Sequence, residues 1–160
     1  MKTIKNAFAL LSFLFLFHSC NSDDNNNGVD NEKPVIDFTV ENAFPTSCAT
    51  VTKGQSFIFK ARFTDNLELG SYSLDIHNNF NHHSHDTEVA SCNMEPVKTP
   101  VNPFTRISTH TIEEGLIEYI AQQEITIPED IDPGDYHFMI KLTDKQGWSS
   151  MKGISFKITE

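Results

Sequence analysis

The chain has 160 residues, 38% hydrophobic and 21% charged, with 12 basic against 22 acidic side chains and a formal net charge of −10 at pH 7. A field of that sign disfavours nucleic acid and anionic lipid headgroups as partners and attracts cations. The length fits one ordinary domain plus a short extension.

The first twenty residues, MKTIKNAFALLSFLFLFHSC, combine Lys2 and Lys5, an unbroken apolar or small run from Ala7 to Phe17, and the small Ser19 directly before Cys20. That is the architecture of a secretory signal. At about 1.5 Å per residue the apolar run reaches only about half of a roughly 30 Å hydrocarbon core, too short for a permanent membrane span. Residues 1–19 are therefore expected to be a lipoprotein signal peptide. Cys20 resembles the lipidated cysteine of a bacterial lipoprotein, which would anchor the chain to a membrane; a plain signal cut near Ser19 is the alternative. The SDD that soon follows Cys20 resembles the acidic signal by which Bacteroidota-type lipoproteins reach the outer face of the outer membrane. Residues 20–33 are polar and turn-forming, with Val29 as their single apolar side chain, and are expected to be a disordered tether. Cleavage after residue 19 removes two lysines and no acid, leaving 10 basic and 22 acidic side chains, and nine of the thirteen phenylalanines remain to build a core.

From residue 34 to 160 a period of two dominates. VIDFTV places Ile36, Phe38 and Val40 on one face, and SFIFKARFTD places Phe57, Phe59, Ala61 and Phe63 on one face with Lys60 and Arg62 on the other. SYSLDIH turns Tyr72, Leu74 and Ile76 inward and Ser71, Ser73, Asp75 and His77 outward. The proline-bearing NMEPVKTPVNPFTR predicts an irregular crossing. In THTIEEGLIEYIAQQEITIP, Thr111 and Glu114 fit a helix capping box with Ile112, Leu116 and Ile120 on one face, while residues 117 to 127 alternate as a strand. DYHFMIKLTD turns Tyr136, Phe138, Ile140 and Leu142 inward and His137, Met139 and Lys141 outward. DKQG is a hairpin signal, and GISFKIT closes the set with Ile154, Phe156 and Ile158. Short strands at regular spacing predict an all-β fold, an immunoglobulin-like antiparallel β-sandwich. DIDPGDYHF adds a Pro-Gly turn before Tyr136, which resembles the tyrosine corner of such sandwiches.

With Cys20 acylated, Cys48 and Cys92 form an even pair in an oxidising compartment and are expected to be disulfide-bonded. The bridge would close a loop worth about 4 kcal/mol in the chain-entropy model. Metal ligation by the two thiols is the alternative.

That loop contains IHNNFNHHSHD, where His77, His82, His83 and His85 concentrate four of the chain's seven histidines. In an immunoglobulin-like sandwich strands C and F are antiparallel neighbours, so His77 and His137, both turned away from the core, are expected side by side. An extended segment after His77 turns His83 and His85 one way and His82 the other. Converging imidazoles suit zinc or copper, and Asp75 and Asp86 are placed to fix the ring tautomers. The expected ligands are His77, His83, His85 and His137, with His82 in reserve. His110 is isolated and is read as a surface residue, and His18 leaves with the signal.

The lipoprotein-type signal, the IHNNFNHHSH block between two cysteines and the GDYHF strand together resemble a Bacteroidota family of lipoprotein domains of unknown function, similar to adhesion-type immunoglobulin-like surface modules. The resemblance implies fold and location, and no activity. Two functions follow: a cell-surface lipoprotein that binds a transition metal, or an adhesion module whose histidine loop is structural or contacts a surface protein or glycan. A metallo-hydrolase using Asp86 or Glu88 as base ranks behind both, because no nucleophile elbow, phosphate loop or HExxH pattern accompanies the histidines.

Overall fold

The computed structural model describes residues 29–85 and 92–160. The signal peptide, Cys20, most of the expected tether, Asp86 and Glu88 lie outside the described residues. Eight strands follow in order: β1 (Val35–Asp37), β2 (Thr50–Thr52), β3 (Ser56–Thr64), β4 (Leu69–Asn78), β5 (Arg106–Thr111), β6 (Glu118–Thr126), β7 (Gly134–Asp144) and β8 (Ser149–Thr159). They form a three-stranded sheet, β1-β3-β6, and a five-stranded sheet, β2-β8-β7-β4-β5. With β3 and β6 in one sheet and β4, β7 and β8 in the other, this is the B, E against C, F, G division of an immunoglobulin-like sandwich.

The period-two pattern acts as the sequence predicts. Phe59, Ala61 and Phe63 of β3 and Tyr136, Phe138, Ile140 and Leu142 of β7 are fully buried, as are Leu74 and Ile76 of β4 and Ile158 of β8 to within 1%. Phe59 stacks on Phe138 with ring centroids 5.3 Å apart, and Phe63 meets Tyr72 at 5.1 Å, so aromatic pairs from opposite sheets hold the two layers together. Tyr136 forms the expected corner: its hydroxyl donates to the Asp132 carbonyl at 2.6 Å and accepts from the Phe104 amide at 3.1 Å. The Cys48–Cys92 disulfide is present.

Five expectations change. No helix occurs among the described residues: the segment holding Thr111 and Glu114 is the end of β5 and a turn, in which Gly115 takes φ +80° and its amide donates to Glu68 Oε1. A left-handed residue there ends any helix, and Ile112 is buried beside β4 instead. Strand β5 itself was hidden because its apolar Ile107 points to solvent, 72% exposed, so its alternation carries no inward apolar face. The first strand stops at Asp37, whose Oδ1 accepts from the Thr39 amide at 2.7 Å; this local turn competes with the ladder and ends it. Finally the sandwich is not wholly antiparallel, since β2 pairs with β8 in parallel. The outward face of β7 also departs from solvent, because His137 is fully buried and Met139 is 7% exposed.

Replacing Tyr136 with Phe removes both corner bonds and leaves the Asp132 carbonyl and Phe104 amide without that partner, so denaturant unfolding should show a loss of about 1–3 kcal/mol. Burial pushes the Tyr136 hydroxyl up from 10.0 to about 12. The unfolded chain therefore ionises first on the alkaline side. The corner's contribution is intact below pH 10 and is lost as pH rises toward about 12, a decline the Phe variant lacks. Joint replacement of Cys48 and Cys92 by Ser should cost about 2–4 kcal/mol in the same measurement.

Candidate metal centre

Strands β4 and β7 pair in a register that sets His77 directly opposite His137. Both side chains project from the outer face of the five-stranded sheet, since Ile76 and Phe138 beside them occupy the core. The chain then doubles back over that face. The Asn79 amide donates to the Asp135 carbonyl at 2.7 Å and the His82 amide to the Asn79 carbonyl at 3.1 Å, which makes a tight turn. Phe80 drops into the core, 2% exposed, with its ring edge-on to Tyr136 at 5.3 Å, and so anchors the loop.

Beyond that anchor His83 and His85 lie over His77 and His137. Ring centroids are 5.4 Å apart for His77 and His83, 5.3 Å for His77 and His85, and 5.1 Å for His83 and His85. One ring nitrogen from each of His77, His83 and His85 falls within 4.8 Å of the others. His137 forms the floor: its ring is 4.6 Å from His85 and 4.8 Å from His83, and its Nε2 meets the His83 carbonyl at 3.1 Å. A carbonyl only accepts, so this contact makes His137 Nε2 a donor that holds the loop down.

His82 does not join them. It takes φ +57°, and its Nε2 meets the Glu95 carbonyl at 2.8 Å, pinning the loop to the crossing segment on the other side. The reserve position is thus a structural one, and the left-handed turn explains why adjacent histidines diverge. His110 packs its ring on Tyr72, 4.7 Å away, and is half-buried rather than free at the surface.

Two acceptors set the tautomers. His77 Nδ1 lies 3.0 Å from Asp75 Oδ1 and His83 Nδ1 lies 2.6 Å from Asn81 Oδ1. Neither oxygen carries a proton to give, so both Nδ1 atoms donate, and in the neutral rings the Nε2 lone pairs are left for another partner. Asp75 was expected in this role. Asn81 was not, although an amide two residues before a histidine, on the same side of an extended segment, was a readable signal. His77 Nε2 and His85 Nε2 are 3.2 Å apart. Two nitrogens on one tetrahedral zinc, each bonded at 2.0–2.1 Å, are separated by about 3.3 Å, so this edge already has the spacing a metal requires. His77 and His85 also border a pocket of about 270 Å³ shared with the thioether side chains of Met139 and Met151.

No curated protein matches the chain. Among solved structures it is similar to one titled "GspB Siglec domain", at 23% identity and a TM-score of 0.45, over 81% of this chain and 59% of that one. The chain therefore spans less than two thirds of that structure's length. Residues 18–159 match the family described as "Domain of unknown function (DUF4625)", and the chain belongs to that family.

Proposed function

We propose that this protein is an exported, non-enzymatic lipoprotein, anchored through Cys20 to the outer membrane, whose sandwich captures a transition metal at the cell surface. Residues 1–19 act as the signal, 20–33 as the tether, whose end packs on the domain at the buried Asp30, and 34–160 as the presenting domain. His77, His83 and His85 supply the nitrogen ligands, Asp75 and Asn81 orient the first two, and His137 positions the loop. The observation that carries this reading is the approach of the His77 and His85 Nε2 atoms to 3.2 Å, with a nitrogen of His83 inside the same 4.8 Å group. Three neutral imidazoles suit zinc and copper alike. Copper(II) binds the tighter of the two at a given nitrogen site, and Met139 and Met151, which line the pocket that His77 and His85 border, add thioethers of the type that reduced copper prefers.

Elemental analysis of protein purified without a histidine tag or nickel resin, followed by calorimetric titration, should find about one equivalent of zinc or copper bound. Less than about a tenth of an equivalent, with no uptake on titration, rejects the proposal in favour of a structural loop on an adhesion module.

Joint replacement of His83 and His85 by Ala should abolish binding and leave the far-ultraviolet β signal unchanged. His82→Ala should keep the affinity within a few-fold, since that ring faces Glu95. His137→Phe should weaken binding about 10–100-fold through the loop it positions.

Acid competes for the imidazole lone pairs, so affinity should fall steadily between about pH 7.5 and about pH 5, with protons taken up as metal leaves. Affinity that is flat over this range means that the histidines are not the ligands.

A further inference from the structure

At the opposite end of the sandwich three aspartates from distant parts of the chain meet. Asp65 directly follows β3, Asp144 ends β7, and Asp30 lies on the segment that enters β1. One carboxylate oxygen from each falls within 4.8 Å of the others. Asp30 is 7% exposed and Asp144 4% exposed.

Each carboxylate is held by one oxygen. Asp30 Oδ1 accepts from the Glu32 amide at 3.0 Å, Asp65 Oδ2 from the Leu67 and Glu68 amides at 2.9 Å each, and Asp144 Oδ1 from the Gly147 and Trp148 amides at 2.6 and 2.8 Å. The second oxygen of each, Asp30 Oδ2, Asp65 Oδ1 and Asp144 Oδ2, is buried and has no hydrogen-bond partner among the described residues. The neighbouring cation is engaged elsewhere: Lys145 Nζ lies 3.1 Å from Glu114 and 3.8 Å from Glu68. Three like charges with buried, unpaired oxygens repel one another strongly in a medium less polar than water.

From this arrangement we infer that Asp30, Asp65 and Asp144 form a second metal site, for a hard divalent cation of the calcium type. Calcium takes oxygen ligands at about 2.3–2.6 Å, so two oxygens on one ion are at most about 5 Å apart, and the observed group fits inside that limit. A cation there neutralises the repulsion and gives each orphaned oxygen a partner. The ligand set is all oxygen, which favours a hard ion over the zinc or copper that imidazole nitrogens prefer. The positions are also well separated: His137 lies near the start of β7 and Asp144 at its end, about 23 Å apart at about 3.3 Å per residue. The bound ion ties the entering segment at Asp30 to the β3–β4 and β7–β8 turns, and so stiffens the point where the domain leaves its tether.

The chain's single tryptophan reports on the site, because the Trp148 amide donates to Asp144 and its Nε1 donates to the Asp30 carbonyl at 3.0 Å. The full chain, purified tag-free in detergent, is titrated with calcium by calorimetry and with terbium while Trp148 is excited. The expected results are a saturable calcium heat with Kd in about the 10⁻⁴–10⁻³ M range of extracellular modules, and sensitised terbium emission that calcium displaces. Asp65→Asn and Asp144→Asn each keep an oxygen for the backbone amides and should weaken binding at least tenfold, with folding checked by circular dichroism. Joint replacement of His83 and His85 by Ala should leave both signals unchanged, which separates this site from the histidine centre. Absence of calcium heat and of terbium emission in the folded wild type overturns the inference. Signals that survive unchanged in both aspartate variants overturn it too.

Discussion

The register of β4 on β7 is the constraint on which the rest depends. Tyr72, Leu74 and Ile76 face the core from one strand, and Phe138, Ile140 and Leu142 from the other, so both outer faces are determined at once. Side chains alternate with a period of two, and a slip of one residue would turn His137 into the interior and Phe138 out of it. Two local features oppose such a slip. Tyr136 is tied to the backbone at Asp132 and Phe104, and the register shift between Leu69 and Ser71 leaves Gly70 where a Cβ would meet the Asp144 carbonyl oxygen at 2.7 Å. The first of these features lies near the histidines and the second beside the aspartates, so each end of the strand pair has its own lock.

Given that register, burial of His137 follows from the loop rather than from the sandwich. An imidazole removed from water is costly unless it is hydrogen-bonded, and here its Nε2 bonds the backbone of the loop that covers it. The loop in turn is held by Phe80 in the core and by His82 on the crossing segment. Two of the block's residues, Phe80 and His82, therefore act as fasteners and His137 of β7 as the floor, and the remaining rings are presented in fixed positions. Preorganisation of that kind matters at a metal site, because ligands already at their required spacing lose little freedom when an ion arrives.

How much of this could be read from the chain follows from where each signal resides. Strands β3, β4, β7 and β8 were legible because their apolar faces are unbroken, and His77 beside His137 followed from topology once those strands were assigned. The cysteine pair and the tyrosine corner were legible from composition and a local motif. The short β2 and the edge strand β5 were not, since three residues carry no period and Ile107 faces outward. Alternation set His82 apart from His83, but it did not encode the left-handed backbone at this non-glycine residue or the Glu95 carbonyl that its ring meets. The aspartates were invisible for a different reason: each reads singly as a turn residue capping backbone amides, and only the closure of both sheets brings their second oxygens together.

The two ends of the sandwich thus differ in chemistry as well as place. Imidazole nitrogens lie at one end and carboxylate oxygens at the other, a division that follows the borderline and hard classes of metal ions. An acidic chain concentrates cations of every kind near its surface, so net charge alone cannot sort them. Sorting comes instead from donor type and from the spacing each fold element imposes. The histidine end uses a loop folded back on one sheet, and the aspartate end uses the entering segment with one turn from each sheet. Filling the second would stiffen the approach to the domain while leaving the first open at its far end, so a single rigid sandwich can present one site outward and brace itself with the other.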